Sequence, residues 1–406
     1  MVTVKLQPKN WQGVRAEDIC VKVTDGTHDT PRRLSISNHP LITSKQLTGG
    51  VLATTDYFIS EEDFKEVNKR SKVDQWDILF GMIGTVGELL IIKDKNPQFA
   101  IKNIGLFKTG GNQILTKWLY YYFKSPAGQA YIKSVKRGTS QEYIPLESLR
   151  EFPILIPNNS EEQQNIIKIL SAFDDKIELN NKINQTLEQM AQAIFKEWFS
   201  AKEGKFPKGW RVSKIDDLIK IISGHPFSSK LYTINKKALG VVTIRNVQDG
   251  NFITNCDSFI DKKNIPENMS PECLIHDGDI LLSLTGNVGR VCFVYGGEYL
   301  LNQRVAKLQP KEIKDFAFCY FLFRQKKMQN YLINMAKGSA QPNLSPVETG
   351  KISLLIPPRE ILDNFYNLVG SMYKQLVKNA EENQKLASLR DLLLPKLMSG
   401  EVRVKV

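Results

Sequence analysis

Apolar residues along two stretches of the chain fall on heptad seams. Residues 161–199 contain neither Pro nor Gly. One seam line there holds Ile166, Phe173, Asn180, Leu187 and Ile194, and the other holds Leu170, Ile177, Asn184, Ala191 and Trp198. The spacings alternate between four and three, as in a coiled-coil helix. The chain end repeats the pattern with Leu362, Val369, Leu376, Asn383 and Arg390 beside Phe365, Met372, Asn379, Leu386 and Leu393. Pro395 is expected to stop that helix. Each seam carries two Asn near its middle. In an antiparallel pair the midpoints meet, so Asn180, Asn184, Asn379 and Asn383 can fix register through amide hydrogen bonds. The alternative is that they face solvent on an imperfect stripe.

Elsewhere the pattern changes to short apolar runs punctuated by Gly. Residues 77–87 read Asp-Ile-Leu-Phe-Gly-Met-Ile-Gly-Thr-Val-Gly, and residues 279–289 read Asp-Ile-Leu-Leu-Ser-Leu-Thr-Gly-Asn-Val-Gly. Apolar residues follow each, at 88–92 and 290–294, which predicts strand, glycine loop, strand, with Gly84, Gly87, Gly286 and Gly289 shaping the loops. Aromatic helical segments come next. Then Lys136-Arg137-Gly138-Thr139-Ser140-Gln141 meets Ala336-Lys337-Gly338-Ser339-Ala340-Gln341, and Ile156-Pro157 meets Ile356-Pro357, all at an offset of 200. Upstream, Trp11 leads to Gly26-Thr27-His28 as Trp210 leads to Gly224-His225. The chain reads as two copies of one unit. Its segments are a domain at 1–157, a helix at 158–200, a second domain at 201–357, and a closing helix and tail at 358–406.

Charge adds a partner class. The 406 residues hold 55 Lys and Arg against 43 Asp and Glu, a net charge of +12. That excess favours nucleic acid over an acidic partner. Residues 161–200 carry seven acidic and four basic side chains, while residues 1–160 are net positive. The basic excess therefore lies on the globular parts. Five scattered Cys without a CxxC pair suggest neither a disulfide framework nor a zinc ribbon. No HExxH, no phosphate loop ending Gly-Lys-Ser/Thr and no catalytic Asn/Asp-Pro-Pro-aromatic turn is present. The opening Met1–Lys5 begins no signal-peptide core and no apolar run is long enough to span a bilayer, so a cytoplasmic protein without a membrane partner is expected.

Within a DNA reading, Lys133, Lys136, Arg137, Arg324, Lys326, Lys327 and Lys337 are candidates for phosphate contacts. Candidates for base reading are Thr139, Gln141, Arg245, Asn287, Ser339 and Gln341, because Gln can pair with adenine and Arg with guanine. Residues shared by both halves discriminate poorly if the half-sites differ, so Gln141 and Gln341 can equally be turn caps.

The segment Ile156-Pro157 followed by Glu161-Glu162-Gln163-Gln164 and the heptads resembles the central conserved region of type I restriction-modification specificity (S) subunits. Leu393-Leu394-Pro395-Lys396-Leu397-Met398-Ser399-Gly400-Glu401 resembles their distal conserved region, and Thr285-Gly286-Asn287-Val288-Gly289 a loop of their target recognition domains. The resemblance spans essentially the whole chain. It implies an α+β fold: two similar target recognition domains separated and closed by two long antiparallel coiled-coil helices, with a pseudo-two-fold repeat. It further implies a non-catalytic reader of a bipartite, asymmetric site on double-stranded DNA. The helices would space the readers and dock two modification subunits, which use S-adenosylmethionine. Restriction subunits would bring ATP and Mg2+, with no cofactor or metal bound by this chain. The competing reading is a two-domain structural adaptor that binds proteins without DNA selectivity. Two departures stand out. Pro358-Arg359-Glu360-Ile361 replaces the Glu-Glu-Gln-Gln signature in the second half. Asn302-Gln303 matches a family pair, with Ala100-Ile101 expected near that position in the first half.

Overall fold

The computed structural model describes residues 8–48, 50–139, 141–199, 208–250, 252–253, 256–336 and 342–404. It divides into two compact units, Met1–Asp175 with Ala387–Val406, and Lys176–Leu386. Both long helices, Ser160–Phe199 and Arg359–Met398, contribute to each unit.

In the first unit an antiparallel sheet runs in the order Lys22–Asp25, Ile104–Lys108, Ile78–Gly81, Leu89–Ile91. The second unit repeats it as Ile219–Ser223, Val305–Pro310, Ile280–Ser283, Val291–Val294, and adds Phe252–Ile253 in parallel at the edge. A parallel pair recurs as well, His39–Thr43 with Ala100–Lys102 and Leu239–Val242 with Tyr299–Leu301. Each globular part is closed by its own first and last strands. Trp11–Arg15 pairs with Pro153–Pro157, and Arg211–Lys214 with Ser353–Ile356. Two aromatic-rich helices follow the sheet in each unit, Gln113–Lys124 and Pro126–Val135, then Phe316–Arg324 and Lys326–Ala336. Ser125 ends the first of these and caps the second by accepting from the Gly128 N–H, so a single residue sets the corner.

The helices are held by burial of one face. Ile166, Ile167 and Leu170 from the first and Leu394, Leu397 and Met398 from the second enter the first unit's core beside Phe80, Phe107 and Trp118. Ala191 and Phe195 from the first and Leu362, Phe365 and Val369 from the second enter the other core beside Phe293 and Phe323. Each fully buried side chain of this size contributes roughly 1.5–3 kcal/mol. At the end of the first helix the buried face passes from Ala191 on the heptad to Phe195 off it, leaving Trp198 exposed. A straight helix at 3.6 residues per turn drifts off a 3.5 repeat in this way.

Pro395 does not stop the second helix, which continues to Met398. The missing N–H costs one bond near the end of the helix, while Leu397 and Met398 gain burial by extending it. The stop is Ser399-Gly400. The Ser399 N–H donates to the Pro395 carbonyl at 3.1 Å, and Gly400 takes φ +69°.

The partner of Asn302-Gln303 also differs from expectation. His225 bridges Asn302 in parallel as Thr27 bridges Lys102, so the equivalent pair is Lys102-Asn103 and not Ala100-Ile101. Apolar strand residues carry no internal marker of that register, which the Thr27 and His225 N–H groups fix by donating to the Ile101 and Leu301 carbonyls.

All five cysteines are free and buried, and burial pushes Cys20 and Cys256 up to about 12. Among the described residues no helix is long and apolar enough to cross a membrane.

Candidate nucleic-acid interface

In both units the glycine loop is the bend of an antiparallel hairpin, Ile78–Gly81 with Leu89–Ile91 and Ile280–Ser283 with Val291–Val294. Gly84, Gly87, Gly286 and Gly289 all have positive φ, between +67° and +89°. An L side chain is strained there, which accounts for Gly at four matched positions. A second loop stands on each hairpin. In the first unit Ile83 bridges Tyr143, the Ile144 N–H donates to Met82 at 2.9 Å, and Arg137 and Tyr143 exchange both backbone bonds at 2.9 Å. In the second unit Thr285 bridges Asn343 and the Leu344 N–H donates to Leu284 at 2.8 Å.

This construction gathers several candidates. Lys133, Arg137, Thr139 and Gln141 are exposed on or beside the first unit's second loop. Lys136 is half-buried and ion-paired with Glu142. In the second unit a cleft of about 320 Å³ brings Gly286, Asn287 and Gly289 together with Arg290, Lys326 and Gln329. Lys327 is exposed on the same helix as Lys326, and Arg245 is exposed on a turn after Leu239–Val242. Lys337, Ser339 and Gln341 lie outside the described residues.

Arg324 sits differently. Its side chain is 13% exposed and lies 3.3 Å from Glu188 and 3.1 Å from Asp249. Burial alone would lower the guanidinium, but Tyr320, Glu188 and Asp249 hold it above the usual arginine value. Asp249 also accepts from the Val291 N–H at 2.8 Å and from Gln329 at 3.0 Å, and Gln329 donates to the Gly289 carbonyl at 3.3 Å. Arg324 thus braces the glycine hairpin through protein carboxylates.

The helix asparagines meet in pairs. Asn180 donates to Asn383 at 2.9 Å, and Asn379 donates to Asn184 at 2.8 Å. Asn383 also donates to Asn181 at 2.9 Å.

Sequence reasoning passed over one cluster. In the first unit Asp25 is buried, ion-paired with Arg70 and 2.8 Å from His28 Nε2. The signal was the Asp before Gly26, which has Ser223 as its counterpart before Gly224.

A family model described as the type I restriction modification DNA specificity domain matches residues 8–189 and again 207–379. The specificity subunit of the type I restriction enzyme MjaIX of Methanocaldococcus jannaschii is 26% identical, covering 98% of this chain and 95% of that protein. The HindI specificity subunit of Haemophilus influenzae is 25% identical, covering 93% and 98%. The crystal structure of a type I restriction-modification S subunit from M. genitalium shares the fold, with a TM-score of 0.53 at 17% identity over 97% of this chain and 98% of that one. Two family matches, one to each half of the repeat, cover most of the sequence, and the chain belongs to the type I restriction-modification specificity-subunit family, whose members are non-catalytic.

Proposed function

We propose that each unit reads one half of a bipartite, asymmetric DNA target on behalf of the modification and restriction subunits of the complex. One observation carries this reading. The same glycine hairpin, with a second loop standing on it, is built twice on one scaffold and tipped with different polar residues. Duplicated scaffolds with different tips suit a target whose halves differ.

Affinity would come mainly from cations on phosphates, and sequence preference from polar groups at base edges. Lys133, Arg137, Lys326 and Lys327 are exposed and suit the first task. Lys136 reaches DNA only by leaving Glu142, and Arg324 is already enclosed by carboxylates. In the second unit Asn287 suits base reading, because it tips the hairpin and its amide can pair in bidentate fashion with adenine. Arg245 is a further candidate there, and Thr139 and Gln141 are candidates in the first unit. The long helices would dock two modification subunits. S-adenosylmethionine would serve those subunits, and ATP with Mg2+ the restriction subunits. No cofactor is assigned to this chain.

The test is a binding-site selection with the chain alone and with two modification subunits. A bipartite, sequence-selective product that requires the modification subunits is expected. Absence of selectivity in both conditions would overturn the reading and favour a protein-binding adaptor.

A further inference from the structure

We infer that Arg70 and His28, gathered on the buried carboxylate of Asp25, form with Asn103 beside His28 a base-reading cluster of the first unit alone, and that its ligand is the major-groove edge of a guanine. The inference rests on the reading of the units as DNA readers.

The cluster lies in a cleft of about 250 Å³ between the glycine hairpin, at Ile83, and the second loop, at Tyr143. Asp25 is 1% exposed. One of its oxygens pairs with Arg70 Nη2, and the other lies 2.8 Å from His28 Nε2. The other ring nitrogen of His28 lies 3.0 Å from Asn103 Oδ1. Burying a carboxylate is costly unless charge partners and hydrogen bonds offset it. Here the partners are two side chains that stay largely in solvent, with Arg70 52% and His28 62% exposed. The carboxylate therefore restrains both at one end while leaving the other end open.

Arg70 carries five N–H donors in a flat fork, and its ion pair with Asp25 is made through Nη2. An arginine held from behind presents a fixed pair of donors, which is the geometry that O6 and N7 of guanine accept. Holding the side chain before binding also reduces the ordering cost on binding.

The internal repeat supports the assignment to one half-site. His225 stands where Thr27 does, since each bridges the equivalent strand end. Ser223 then takes the position of Asp25, and Gln303 that of Asn103. Arg70 comes from the helix Glu61–Ser71, whereas the helical segments in the corresponding stretch of the second unit are, among the described residues, only the short turns Lys262–Asn264 and Pro271–Cys273. The shared hairpin cannot distinguish different half-sites. A charged cluster present in one copy can.

The experiment is binding-site selection and salt-dependent affinity on the complex with modification subunits, comparing wild type with Arg70→Ala, Arg70→Lys and Asp25→Asn. Arg70→Ala should weaken the preferred site by about ten- to a hundredfold and erase one guanine preference in a single half-site. Arg70→Lys should erase the same preference, because an ammonium cannot reproduce the fork. The other half-site and the salt slope should stay unchanged. Asp25→Asn should weaken the same preference through a misplaced Arg70. A uniform loss of affinity with a salt slope smaller by about one would make Arg70 a phosphate contact and overturn the inference. Unchanged selection in all three variants would overturn it as well. If the wild-type complex itself selects no sequence, the reading of the units as DNA readers fails, which is a separate result.

Discussion

Asn180 on the first long helix donates its side-chain amide to Asn383 on the second at 2.9 Å, and also to Glu382 at 2.8 Å. Four residues on, Asn184 accepts from Asn379. One number rises as its partner falls, so the helices run antiparallel at this point. A slip by one turn would leave at most one of these two asparagine pairs in place. Asn180 is fully buried, so its replacement by a carboxylate cannot be relieved by solvent. Asn180→Asp should place a second negative charge on Glu382 and cost about 2–3 kcal/mol in urea denaturation. A midpoint equal to that of wild type would remove this pairing from the account of how the helices hold register.

Glu382 makes the same contact sensitive to acid. The Asn180 amide, followed by Lys176, holds its carboxyl below the usual glutamate range. A depressed folded-state value means stability that is fully present above the unfolded value of about 4.3 and is lost as pH falls through the lower folded value. Glu382→Gln should lower stability slightly at neutral pH and flatten the profile in that acidic window, so that variant and wild type converge at low pH. Profiles that overlay throughout would sink the prediction.

The two halves of the molecule were legible in the sequence for a physical reason. Positive φ at Gly84, Gly87, Gly286 and Gly289 restricts those positions to Gly, so the hairpins repeat as letters. The heptads were readable because burial of one helix face imposes a period. The parallel pair of His39–Thr43 with Ala100–Lys102 was not readable, since two short apolar runs carry no mark of their partner or register. The Asp25 cluster was hidden for another reason. Asp25, Arg70 and Asn103 are scattered along the chain, and only folding brings them to one cleft. Pro395 misled because its local penalty was weighed without the burial of the residues beyond it.

Arg324 and the lysines of the next helix carry the same charge and should respond in opposite ways to removal. Arg324→Met would strand Glu188 and Asp249, which are 14% and 37% exposed, without their cation. The expected cost is about 3–5 kcal/mol, seen as early unfolding of the second unit. Lys326→Ala and Lys327→Ala should change stability by no more than about 0.5 kcal/mol. On DNA, each lysine that touches a phosphate should lower the salt slope by about one when removed. A stable Arg324→Met protein would show that the network does not brace the hairpin.

Two glycines make the repeat testable by substitution at equivalent places. A Cβ added at Gly26 would sit 2.2 Å from the Ile101 carbonyl oxygen, and one at Gly224 would sit 2.2 Å from that of Asn302. Both obstacles are backbone atoms of a paired strand, so neither can swing aside as a flexible side chain would. Gly26→Ala and Gly224→Ala should each cost about 2–3 kcal/mol by forcing strands apart. Gly370, within the second long helix, meets nothing within 4 Å at the same construction. Gly370→Ala should therefore stabilise by about 0.5–1 kcal/mol through helix propensity and reduced freedom of the unfolded chain. Urea denaturation of the three variants gives the comparison. Similar losses at Gly26 and Gly224 would show that the crossing does the same mechanical work in both copies. A loss confined to one of them would mean that the copies have diverged in backbone tolerance as well as in their polar tips.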